Sequence, residues 1–153
     1  MPPEPHWTAY VTALLTPVVA VMAAAIAYRQ WRIAQNKLKL DLFDRRFAVY
    51  HTARDFLASV MTSGRAKDPE VIKFVMGTRE AKWLLNDDVA EYLDKQIYHK
   101  ALDLQRLEAE LDGVGVGPVR SQNVQEQAEI KKWFVRQYEV LDQKFDSFLR
   151  LEH

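Results

Sequence analysis

The chain has 153 residues, enough for one domain, with 21 basic and 21 acidic side chains. Its zero net charge excludes a globally basic nucleic-acid binder, and the absence of Cys excludes disulfides, thiolate metal sites and Cys nucleophiles. A hydrophobic content of 48% argues against an intrinsically disordered chain.

The first predicted element is a transmembrane helix over residues 7–28, after an extracytoplasmic segment of residues 1–6. Residues 7–28 form a run of 22 residues without a charge, and Trp7 and Tyr28 stand at its ends. At about 1.5 Å per residue the helix would be about 33 Å long, close to the hydrocarbon thickness of a bilayer. Aromatic residues at both ends suit the two membrane–water interfaces. The alternatives are a buried core helix and a cleaved signal peptide, but a signal peptide needs early basic residues and none precedes Arg29.

Threonine and alanine recur along this predicted span at spacings of three and four residues, which place them on one helix face. This Thr/Ala face consists of Thr8, Thr12, Thr16, Ala20, Ala24 and Ala27. In lipid, small residues let helix backbones approach closely and Thr hydroxyls can bond between helices. The pattern predicts a homo-oligomer packed through the Thr/Ala face. In the alternative, the Thr side chains bond only their own backbone.

A basic segment follows the predicted span. Residues 29–67 contain nine bases and three acids, whereas residues 68–153 contain twelve bases and seventeen acids. Because bases close to a span stay on the cytoplasmic side, we expect a bacterial inner-membrane protein with its N-terminus outside and its C-terminal part cytoplasmic. The bases nearest the span form a basic collar, which is either a surface for anionic lipid or an ordinary solvated face: Arg29, Arg32, Lys37 and Lys39.

All later elements are predicted as helices. Residues 29–67 should continue the spanning helix to about Thr62, with Gly64 ending it. Its expected apolar positions are Leu40, Phe43, Phe47, Tyr50, Leu57 and Met61. Residues 68–153 should supply the helical remainder of the cytoplasmic domain, beginning with Asp68 as N-cap and Pro69 as the first helical residue.

Three further helices are predicted in residues 68–153. Their expected apolar positions are Ile72, Val75, Met76 and Trp83 in the first, Leu93, Ile97, Leu104, Leu107 and Leu111 in the second, and Ile130, Phe134, Tyr138, Leu141, Phe145 and Phe148 in the third. Between the first and second of these helices we expect a break with a new helix N-cap at Asn86, Asp87 and Asp88. Residues 113–118 should form a loop before the third helix. The predicted fold class is all-α, with one N-terminal transmembrane helix continuing into a cytoplasmic antiparallel helical bundle.

No motif for a metal, a phosphate loop or a catalytic nucleophile is present, so we expect no metal, no cofactor and no enzymatic activity. One pair is a weak exception. Arg46 and His51 have the Arg-x4-6-His spacing that resembles HEPN-type ribonucleases, in which the His would move a proton at the ribose hydroxyl and the Arg would hold the phosphate. At the C-terminus, Leu151-Glu152-His153 is either native sequence or the remnant of a cloned tag.

Four stretches of the chain resemble a group of uncharacterised bacterial single-pass inner-membrane proteins with a cytoplasmic helical domain. They are residues 28–31, 38–50, 79–85 and 145–149. The resemblance implies that topology and no activity. The architecture is also similar to that of the membrane accessory proteins of type VI CRISPR systems, which implies assembly into a pore.

Two functional hypotheses of different classes follow. The first is an inner-membrane protein that self-associates through its transmembrane helix, as a pore-forming or membrane-perturbing effector in stress or phage defence. The second is a non-enzymatic anchor whose helical domain docks a cytoplasmic protein partner, and the ribonuclease is a less favoured third. The partners expected are the lipid bilayer and further copies of the chain, with no nucleic acid.

Overall fold

The computed structural model describes the backbone of residues 7–150 and the side chains of residue 15 and residues 17–150. Every regular element in that part of the chain is a helix, which confirms the predicted all-α class. The elements are α1 (Trp7–Ser63), α2 (Asp68–Thr78), α3 (Ala81–Leu84), α4 (Asp87–Glu91), a π-helix (Tyr92–Tyr98), α5 (His99–Glu110) and α6 (Pro118–Leu149).

The chain divides into two compact units, residues 1–41 and residues 42–153. In the first unit, every side chain that the structure describes is exposed. All the buried residues that the structure describes lie in the second unit. A search of the described residues found no helix long and apolar enough to cross a membrane.

The end of α1 agrees with the sequence prediction, but the start of α2 does not. Gly64 has a φ of 67° and donates its N–H to the Val60 carbonyl at 2.8 Å, a left-handed turn that Gly adopts without steric cost. Helix α2 begins one residue earlier than expected, with Lys67 as its N-cap. Asp68 is therefore already helical, and its carboxylate accepts a hydrogen bond from Gln105 Nε2 at 2.7 Å instead of capping the helix.

The predicted recapping at residues 86–88 is confirmed, with Asn86 as the N-cap. Its Oδ1 accepts a hydrogen bond from the Val89 backbone at 3.0 Å, and Asp87 and Asp88 occupy the first turn of α4, where the helix dipole favours acids. The helix expected after this cap is not uniform. It passes from α4 through the seven-residue π-helix into α5.

The core of the second unit forms where α1, α2, the π-helix, α5 and α6 contribute buried faces. Three phenylalanines from three helices meet in it. The ring centroid of Phe56 on α1 lies 4.7 Å from that of Phe74 on α2 and 6.3 Å from that of Phe134 on α6. All three side chains are buried. The predicted core positions Leu93, Ile97, Leu104, Phe134, Leu141 and Phe145 are confirmed as buried.

Several predicted core positions are exposed instead. On α1 the buried stripe runs through Val49, Ala53 and Val60, and Phe47 lies about 200° around the helix from Val49, so Phe47 is 44% exposed. On α2 the buried residues are Val71 and Phe74. Other residues of α1 and α2 expected to be apolar core are exposed because they lie off these stripes: Leu40, Met61, Ile72, Val75 and Met76. On α3 the buried residue is Ala81, and Trp83, also expected in the core, is exposed.

At Gly77 the backbone of α2 lies close to Thr52 of α1. A Cβ atom added there would lie 2.7 Å from Thr52 Cγ2, and Thr52 is β-branched and already bonded to the Ala48 carbonyl. We expect Gly77→Val to lower the free energy of unfolding by about 1–3 kcal/mol through overpacking, measured by thermal unfolding in detergent. Gly115→Ala is the control, because no atom lies within 4 Å of its added Cβ. Equal melting temperatures for the two variants would show that α2 moves away from α1 without cost.

Candidate functional site

The uncharged run is the first of the predicted sites. Residues 7–28 belong to α1, and the described large apolar side chains of the run are exposed, from 49% at Val18 to 69% at Val21. These apolar side chains face different sides of the helix, and they include Leu15, Val19, Met22 and Ile26. Ala20, Ala24 and Ala27 are exposed as well. The side chains of Thr8, Thr12 and Thr16 lie outside the described residues.

The basic collar follows on the same helix. Arg29, Arg32, Lys37 and Lys39 are exposed, and none of them has an ion-pair partner among the residues that the structure describes. The rings of Tyr28 and Trp31 lie beside them, with centroids 6.1 Å apart. This segment therefore presents unpaired positive charge next to exposed aromatic rings.

Arg46 and His51 lie in different surroundings. The Nε of Arg46 donates to the Leu84 carbonyl at 3.0 Å, and its guanidinium lies 5.6 Å from the centre of the Phe148 ring. It thus holds the C-terminal end of α3 beside α6. His51 is exposed, with Nδ1 3.2 Å from Asp55 Oδ2. The two residues are five positions apart in the helix, which separates them by about 140° around α1, so α1 does not present the two side chains on one face.

A cluster of four polar side chains, which the sequence analysis missed, joins α1 to α6. The Tyr50 hydroxyl donates to Asp142 Oδ1 at 2.7 Å and accepts from Arg54 Nη1 at 2.7 Å, while Arg54 Nε donates to the Tyr138 hydroxyl at 3.2 Å. Burial, and then the bond to Asp142, raises the pKa of Tyr50. The bonds to Tyr138 and Tyr50 raise the pKa of Arg54. Because its hydrogen bonds connect α1 to α6, this cluster is best explained as a structural joint between the two helices.

A groove of the second unit, with a volume of about 570 Å³, lies between α2–α3 and α4 with the π-helix. Its apolar lining includes Phe74, Val75, Ala81 and Leu93. One side, here the basic wall, carries Arg79 and Lys82. The other, here the acidic wall, carries Asp87, Glu91 and Asp94.

The two walls do not neutralise each other. Among the described residues, Arg79, Lys82, Asp87 and Asp94 form no ion pair, and Glu91 pairs with Lys95 of its own helical turn at 2.7 Å. All five wall residues are exposed. The groove therefore keeps opposite charges on facing sides, separated by apolar side chains.

Three large apolar side chains of the same α2–α3 segment are exposed, and they are here called the apolar ridge. It consists of Ile72, Met76 and Trp83, which are 61%, 68% and 74% exposed. Isolated exposed apolar residues are common, but an exposed Trp beside a groove is typical of contact surfaces. The sequence contained a signal for this ridge. Apolar residues occupy nearly every position from Val71 to Met76, more than one helix face can bury.

A metal centre is not indicated in the part of the chain that the structure describes, where no three His, Asp or Glu side chains lie close enough together to hold an ion. Comparison of the chain with protein-family models, with curated proteins and with solved structures found no match. The geometry of its own residues is therefore the basis for a functional assignment.

Proposed function

We propose that the protein is a single-pass inner-membrane protein that self-associates through its N-terminal helix. The observation that carries the proposal is the uncharged run of residues 7–28, of which every described side chain is exposed. Such a length of exposed apolar helix is unfavourable in water, at about 25 cal/mol per Å² of apolar surface. Lipid or another copy of the same helix would cover it.

The collar supports the orientation that we propose. Four exposed Lys and Arg side chains follow the run within residues 29–39, and residues 1–6 contain neither Lys nor Arg. Bases retained on the cytoplasmic side would place residues 42–153 in the cytoplasm. Anionic headgroups would add about 1 kcal/mol for each base at the membrane surface.

Membrane insertion is tested by fractionation. We expect the full-length protein to stay with the membranes after an alkaline carbonate wash, which releases peripheral proteins. Release into the wash would contradict the proposed span.

Self-association is tested with the Thr/Ala face. In native detergent we expect the wild-type protein to have the mass of a discrete assembly by light scattering. Replacing Thr8, Thr12 and Thr16 together by Leu should lower that mass, because the bulkier side chains keep the backbones apart and remove the interhelical hydroxyls.

The matched control for the Thr variant is Val18→Leu/Val21→Leu, which changes bulk on other sides of the same helix and should leave the mass unchanged. If the wild-type protein is a monomer, or if the triple variant keeps its full mass, the Thr/Ala face is not an interface. A pore-forming assembly would further show conductance in planar bilayers, which the triple variant should lose.

A further inference from the structure

The groove and the apolar ridge point to a second contact between copies of this chain, away from the N-terminal helix. The surface carries both halves of a complementary pair. The ridge and basic wall on α2–α3 are apolar and positive, and the wall formed by α4 and the π-helix is negative.

We propose that two copies dock through this surface about a two-fold axis, with the ridge and basic wall of each copy against the acidic wall of the other. A two-fold axis brings the same patch of both subunits together, so that residue i meets residue j and j meets i. When a surface is positive on one side and negative on the other, the positive side of each copy meets the negative side of the second copy. The like-charged sides are then kept apart, and Arg79, Lys82, Asp87 and Asp94, which form no ion pair among the described residues, gain partners of opposite charge.

The occupant is a second copy because each part of the surface then has a counterpart on the same chain. Trp83, 74% exposed, enters the apolar groove of the partner, and the partner's Trp83 enters the first groove. Trp side chains buried near the centre of an interface contribute most to its affinity. This contact goes beyond the proposed function, because it uses none of the residues of the Thr/Ala face.

The test reverses the charge of one wall at a time in the full-length protein in native detergent. The first variant is Arg79→Glu/Lys82→Glu, which makes both walls acidic. The second is Glu91→Lys/Asp94→Lys, which makes both walls basic. We expect each variant alone to dissociate at a protein concentration at least about tenfold higher than the wild type, measured by light scattering over a dilution series.

The decisive result comes from mixing the two variants in equal amounts. Their walls are complementary between chains although each is like-charged by itself, so we expect the mixture to recover wild-type association through mixed pairs. Misfolding of either variant could not produce this recovery. A mixture that dissociates like its separate components would overturn the proposal.

The apolar half of the contact is tested with Trp83→Ser, for which we expect a loss of affinity of about 30-fold. The control is Val116→Ser, because Val116 is 100% exposed and lies outside the groove. Equal affinity of the Trp83 variant and the wild type would overturn the proposal.

The outcome separates this contact from the N-terminal interface. If the wall and Trp83 variants associate like the wild type while the Thr variant becomes monomeric, this inference fails and the proposed function stands. If only the wall and Trp83 variants weaken association, the docking surface stands and the Thr/Ala face does not.

Discussion

Replacing Phe56 by Ala should lower the free energy of unfolding by about 3–5 kcal/mol, the largest loss of stability expected for a single side chain of this protein. Phe56 is 2% exposed and contacts aromatic rings from two other helices. Its removal would leave a cavity where α1, α2 and α6 meet. It would also remove two aromatic pairs, each worth about 0.5–1.5 kcal/mol beyond the area they bury.

Phe47→Ala is the matched control for this effect. It removes the same side chain from the same helix at a position that is 44% exposed, and we expect a loss below about 1 kcal/mol. Both variants are compared with the wild type by thermal unfolding of the full-length protein in detergent, followed by circular dichroism. Similar losses for the two would show that the three-helix contact does not hold the second unit together.

Tyr92 should make the protein sensitive to alkaline pH. Its side chain is fully buried, and its hydroxyl donates to Gln137 Oε1 at 3.0 Å. Burial raises the pKa of Tyr92 well above its usual value of 10.0. Above about pH 10 the unfolded chain loses this proton while the folded protein keeps it, so fewer protons are bound in the unfolded state and stability falls as pH rises. Below pH 10 the contribution of Tyr92 is fully present.

Two measurements check this expectation. Tyr92→Phe should cost about 1–3 kcal/mol at neutral pH, because it leaves the buried Gln137 oxygen without its donor. The same variant should lose less stability than the wild type between pH 9 and pH 11 (about one unit on either side of the usual pKa). Tyr98→Phe controls for the lost hydroxyl, because the Tyr98 hydroxyl makes no hydrogen bond among the described residues. Parallel pH curves for Tyr92→Phe and the wild type would contradict the assignment.

The helical class and much of the core could be predicted from the sequence because they depend on local signals. Gly64 and Asn86 act within one turn of their own helices, and the spacing of Phe134, Leu141 and Phe145 requires one buried face. Such features need no knowledge of the neighbouring elements.

The errors arose where two faces of one helix were both apolar. From sequence, Met76 and Phe74 are equally good core residues, and only the packing of α2 against Thr52 and Phe56 decides that Phe74 is buried. The groove walls were missed for a related reason. Arg79, in the turn after α2, and Asp94, in the π-helix, are fifteen positions apart, and no periodicity predicts that they face one groove.

The π-helix explains how buried side chains spaced four residues apart stay on one face over several helical turns. Buried side chains recur at Val89, Leu93, Ile97 and Ala101, always four positions apart. In a continuous α-helix each such step would rotate the buried face by about 40°, and three steps would turn it by about 120° away from the core. The wider turn of the π-helix, with its i→i+5 hydrogen bonds, holds the extra residue and keeps the face aligned. The number of residues between Asn86 and Gly113 is therefore fixed by the fold, and an insertion or deletion within this stretch would be far less tolerated than one in the loop that follows it.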